Sequence, residues 1–95
     1  MDEIDAALVL ETMASTFRVR NKKYGDNWKN VGAVMAALYP EGVTLRTAED
    51  HVQFHLLSWA VGKLTRFVNS EDTDSIHDAA VYLAMIESLL RGRDR

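Results

Sequence analysis

Apolar and polar positions recur along this chain with a helical period, most clearly between Thr47 and Val68. Placing the residues of TAEDHVQFHLLSWAVGKLTRFV at steps of about 100° gathers His51, His55, Ser58, Gly62, Thr65 and Arg66 on one polar strip. Val52, Phe54, Leu56, Leu57, Trp59, Ala60, Val61, Leu64, Phe67 and Val68 cover the rest. A helix so apolar around its girth is a central one, packed on several sides. Thr47 suits its N-cap, and Glu49 and Asp50 put negative charge where the helix dipole favours it. One residue breaks the pattern: Lys63 falls inside the apolar arc, beside Leu56 and Trp59.

Three further helical segments flank this one. Residues 3 to about 22 carry Ala6, Leu10, Met13 and Phe17 at spacings of four, three and four, with Val9 alongside. Asp2, Glu3 and Asp5 suit the start of that helix, and Arg18, Arg20, Lys22 and Lys23 suit its end. Glu11 sits just off the apolar stripe and reads as a solvated flank residue. Gly25 ends the helix, because glycine adopts the left-handed conformation cheaply. Asp26 or Asn27 can cap the next helix, about 27 to 39, with Trp28, Val31, Val34, Met35 and Leu38 on one face. Pro40 and Gly42 stop it. Glu41 to Arg46 is a short connection in which Val43 and Leu45 are an anchor or a fragment of extended chain. No segment reads as a convincing strand.

The polar stretch NSEDTDS is a turn that starts the last helix at about Thr73 or Asp74. Ile76, Ala79, Tyr82, Leu83, Ile86, Leu89 and Leu90 form its apolar face, with Asp74 and Asp78 one turn apart at the edge. The tail RGRDR should fray. The expected fold is all-α: a single domain, 1–95, built as a small four-helix bundle. Its two long helices, 48–68 and 74–91, should run antiparallel because the link between them is short. That arrangement brings Lys63, Arg66, Asp74 and Asp78 to one end of the hairpin.

Composition narrows the function. Ninety-five residues make one modest core, and an apolar content of 47% leaves material for self-association. A homo-oligomer is therefore expected. The formal charge of −3, with acids and bases mixed along the chain, argues against a nucleic-acid backbone binder. It leaves room for a small phosphorylated ligand, which needs only two or three cations. The absence of cysteine removes disulfides, thiolate zinc sites and cysteine nucleophiles together. No apolar run is long enough to span a membrane, and the acidic N-terminus is unlike a signal peptide. The cytoplasm of a bacterium or of a phage-infected cell is the default location.

The candidate chemistry gathers around Lys63, Arg66, Asp74, Asp78 and Tyr82, with KKYGD at 22–26 as a lid. A lysine on an apolar face is desolvated at a cost unless an anion meets it. Asp78 is the internal partner at hand. Two readings of the pair stand side by side: a bridge that fixes the hairpin register, or the wall of a pocket for a phosphorylated ligand. Asp74 and Asp78 can also hold a magnesium ion through carboxylates and water. His51 and His55 have the spacing of a zinc helix, but HExxH lacks its glutamate here, and surface or interface histidines are expected. Trp28 and Trp59 read as core aromatics, whereas Tyr24 lies in the basic loop and is free to stack on a base. No P-loop, GxGxxG or serine-hydrolase elbow is present.

Two stretches carry a resemblance. RNKKYGDNWKNV at 20–31 and KLTRFVNSEDTDSIHDAAVYLAM at 63–85 resemble short phage and prophage proteins with Y-G-D after the first helix. Those proteins later carry K-x-x-R and D-S-x-x-D-x-x-x-Y, matched here by Lys63, Arg66, Asp74, Ser75, Asp78 and Tyr82. That group looks like a distant branch of the all-α nucleotide pyrophosphohydrolases of MazG type. The resemblance implies an oligomeric helical bundle that binds nucleoside triphosphates with magnesium and cleaves between the α and β phosphates. The family's metal ligands are acidic pairs, E-x-x-E then E-x-x-D. Here Glu49 is followed by Val52 and Gln53, and Ser75 stands where the second pair has glutamate. Nucleotide binding therefore carries over better than catalysis. Under this reading Lys63, Arg66 and Lys23 meet phosphate, Tyr24 and Tyr82 flank the base, and Asp74 and Asp78 hold magnesium or orient the cations. The rivals are an active pyrophosphohydrolase with a reduced metal site and a non-catalytic protein-interaction module.

Overall fold

The computed structural model describes residues 5–93. Four helices follow one another: α1 (Ala6–Tyr24), α2 (Asn27–Leu38), α3 (Ala48–Ser70) and α4 (Thr73–Arg93). The described residues contain no strand. Local chemistry sets most of the boundaries. Asp5 caps α1, its carboxylate accepting the Leu8 N–H at 2.8 Å. The expected start at residue 3 lies outside the described residues. Gly25, at φ 64°, ends α1 two residues later than its last expected position. Thr47 caps α3 in a reciprocal arrangement with Asp50: the Thr47 hydroxyl accepts the Asp50 N–H at 3.0 Å, and the Asp50 carboxylate accepts the Thr47 N–H at 3.2 Å. The N–H groups of Arg46 and Thr47 hold the Asp50 carboxyl below its ordinary pKa. The link 41–46 is irregular, with Leu45 half-buried. At the C-terminus, residues 91–93 stay helical rather than frayed, and 94–95 lie outside the described residues.

α3 is the axis of the fold, touching each of the other three helices. Its largest contact is with α4, and the two are antiparallel. Lys63 meets Asp78 at 3.1 Å, Trp59 meets Tyr82 at 5.3 Å between ring centres, and Glu49 meets Arg93 at 3.2 Å. Along these three pairs the residue number falls on α3 as it rises on α4, so the hairpin keeps one register from end to end. Small residues allow the close approach: Ala60 and Ala79 are each 1% exposed, and Ser75 is buried beside them. α2 packs on the adjoining side of α3, burying Met35, with Val31 facing Gly62.

The core is thin. Met35, Leu56, Ala60, Val61 and Ala79 are its buried apolar members among the described residues. Trp28 and Trp59, expected inside, are 61% and 50% exposed. Trp28 sits in the first turn of α2, where Phe17 meets it edge-on at 6.4 Å between ring centres and the Lys29 ammonium lies 5.0 Å from its ring centre. Trp59 looks into the gap between α2 and α4. α1 buries no residue at all. It leaves the body as an arm, which explains a radius of gyration of 17.4 Å where a compact chain of this length has about 12 Å.

Candidate functional site

The gap that exposes Trp59 is a concavity between α2 and α4. Its floor is α3, through Ser58, Trp59, Gly62, Lys63 and Arg66. One wall is the start of α2, with Asn27, Trp28 and Val31; the other is Tyr82 of α4. The cavity holds about 450 Å³. Three of the floor residues, Ser58, Gly62 and Arg66, come from the polar strip of the central helix. A second hollow of about 240 Å³ adjoins it behind Asn27, Trp28 and Arg66, lined further by Phe17, Arg20, Asn21, Tyr24 and Gly25. The two meet at these three shared residues and form one groove.

Side-chain bonds fix the frame of this groove. Of the two expected cap candidates, Asp26 takes the cap position of α2, and Asn27 reaches across to α3. Its amide nitrogen donates to the Gly62 carbonyl at 3.4 Å and its amide oxygen accepts from the Thr65 hydroxyl. Asn69 donates to the Tyr24 carbonyl at 2.7 Å, tying the end of α1 to α3. The KKYGD segment is therefore an anchored elbow, with Lys22 to Tyr24 closing α1, rather than a free lid. Sequence reasoning missed Asn27 and Asn69, because a long-range amide bond leaves no local periodicity.

The predicted site residues separate into three groups. Lys63, Arg66 and Tyr82 line the larger cavity, and Arg66 with Tyr24 lines the smaller one. The Lys63 side chain is 24% exposed and pairs with the half-exposed Asp78 at 3.1 Å. Arg66 lies over the Tyr24 ring, its guanidinium carbon 4.9 Å from the centre. Lys23 lies over the same ring at 5.0 Å but lines neither hollow. Asp74 is exposed and also lines neither. Of the four charges expected together, Lys63 and Asp78 join as a pair, Arg66 points to the α1 side, and Asp74 stands apart from the cavity.

Metal chemistry finds a poor donor set. Among the described residues no three of His, Cys, Asp and Glu are grouped to hold an ion. Asp78 already commits an oxygen to Lys63. A site that clamps two ions around a phosphate needs about four converging carboxylates, so these residues do not fit a resident metal centre. His51 and His55 are exposed; the His55 ring packs 3.8 Å from that of Trp59. The acid with the clearest perturbation is Asp72, in the α3–α4 turn. The Ser70 hydroxyl and then the Ser75 hydroxyl and N–H hold its pKa at about 2. The Ser75 N–H bond, at 2.6 Å, satisfies a free donor in the first turn of α4.

No helix among the described residues is long and apolar enough to cross a membrane. Comparison with protein-family models, curated proteins and solved structures finds no match.

Proposed function

We propose that this chain binds a nucleotide, or a small ligand derived from one, in the groove between α2 and α4. One observation carries the reading: two cations and both tryptophans of the chain line the same cavity. Its size lies within the range of about 300–1,000 Å³ common for small-ligand sites. Lys63 and Arg66 meet the phosphates, with Lys23 as an outer charge near Tyr24. Trp28, Trp59 and Tyr82 supply faces for the base, where stacking is worth about 1–3 kcal/mol. Asp78 holds the Lys63 ammonium in place until phosphate shares it. Any magnesium arrives as the ligand's own counterion, and no bond-breaking step is assigned. The resemblance to short phage proteins through Lys63, Arg66, Asp74, Ser75, Asp78 and Tyr82, a group that looks like a distant branch of the MazG type, supports the same ligand class.

Titration calorimetry with nucleoside mono-, di-, tri- and cyclic phosphates, with and without magnesium, tests this. Saturable binding of at least one is expected. Lys63→Ala and Arg66→Ala should each weaken it about tenfold or more, as loss of a charge-assisted hydrogen bond costs about 1.5–3 kcal/mol. No heat with any member of the panel would refute the proposal. Pyrophosphate release abolished by Asp78→Ala would replace binding by hydrolysis.

A further inference from the structure

A nucleotide seated on Trp59 and Tyr82 accounts for the larger hollow of the groove and leaves the smaller one without an occupant. Charge sets both hollows apart from the rest of the molecule. The chain carries 14 Asp and Glu against 11 Lys and Arg. Yet the residues that line the hollows include Arg20, Lys63 and Arg66 and no carboxylate. Aromatic rings stand in each: Trp59 and Tyr82 in the larger, Phe17 and Tyr24 in the smaller, with Trp28 shared.

α3 sets the order of these groups along the groove. At about 100° per residue, Trp59, Lys63 and Arg66 fall within about 60° of one another, so they face the groove in a row. Lys63 and Arg66 are one turn apart, with Cβ atoms about 5–6 Å from each other. Tyr24 stands further along. Its carbonyl accepts from Asn69 at 2.7 Å, and its ring centre lies 4.9 Å from the Arg66 guanidinium carbon. From Trp59 to Asn69 the helix rises about 15 Å, at about 1.5 Å per residue. The row therefore runs ring, cation, cation, ring. At the Tyr24 end a base has two surfaces to stack on: the outer face of the Arg66 guanidinium, and the Phe17 ring, which is half exposed.

We infer that the groove takes a dinucleoside polyphosphate, two bases joined through a short phosphate bridge. One base lies on Trp59 and Tyr82. The bridge crosses Lys63 and Arg66, where the hollows meet. The second base enters the smaller hollow, and Arg20 adds a third cation there. A mononucleotide has a ring at one end of its phosphates only and leaves this second platform bare. The inference rests on the nucleotide reading of the groove and names the ligand class within it.

Titration calorimetry of the full chain can compare a dinucleoside tetraphosphate of each common base with the nucleoside triphosphate of the same base. The two compounds carry similar charge, so a difference in affinity reports the second base. The dinucleoside compound should bind about tenfold tighter or more, as one added stacked base provides. Replacing both rings of the smaller hollow, Phe17→Leu with Tyr24→Leu, should remove that advantage and leave the affinity for the triphosphate unchanged. Equal affinity of the two compounds for the wild-type chain would overturn the inference and leave the nucleotide reading standing. So would an advantage that survives the loss of both rings, or an equal loss for both compounds in a variant whose helix content is unchanged by circular dichroism. No binding of either compound would bring down the nucleotide reading, and this inference with it.

Discussion

The α3–α4 hairpin and the α1 arm have similar apolar periodicity and opposite fates. In the hairpin, alanines at the contact bring the backbones close, and ion pairs hold both ends in one register. In the arm, a stripe just as regular meets only the body's edge, through Phe17 and Tyr24. Periodicity shows which residues share a helix face. It does not show whether another element of the same chain lies against that face.

Stability should divide along the same line. Leu56→Ala, inside the hairpin, should cost about 2–4 kcal/mol in urea unfolding. Leu10→Ala, on the arm, should cost less than about 0.5 kcal/mol when measured on dilute monomer. Equal losses would mean that the arm belongs to the cooperative unit, and the contrast would fail.

Much of the hairpin was legible for local reasons. The Thr47 cap, the short turn and the cation at Lys63 are written in neighbouring residues, and Lys63 does meet Asp78. The groove was only half legible. The polar strip that became its floor showed in the helical wheel, and Tyr82 was recognisable beside Asp78. Trp28 and Trp59 were not, since an indole at helical spacing looks the same whether its face is covered or open. Asn27 was hidden too: its residue type suits a cap, and only the third dimension shows it reaching Gly62 and Thr65.

A smaller effect should separate the turn from both regions. The Asp72 pKa is about 2 when folded, below its ordinary 3.8. Its contribution to stability is therefore present above about pH 4 and lost as pH falls toward 2. Amide exchange at the start of α4 should accelerate across that window, and Asp72→Asn should remove the pH dependence there. An arm that shows the same acid response would blur the distinction between the regions.

The most direct measurement uses the two tryptophans. Because Trp28 and Trp59 are the chain's full complement and line one cavity, all indole emission reports on the proposed site. Titrating the nucleotide that binds in calorimetry should change that emission saturably. Trp59→Phe should remove most of the change, and Lys63→Ala should move its midpoint about tenfold higher. Indole emission unaltered while calorimetry shows the nucleotide bound would put the ligand elsewhere on the molecule and contradict the groove as its site.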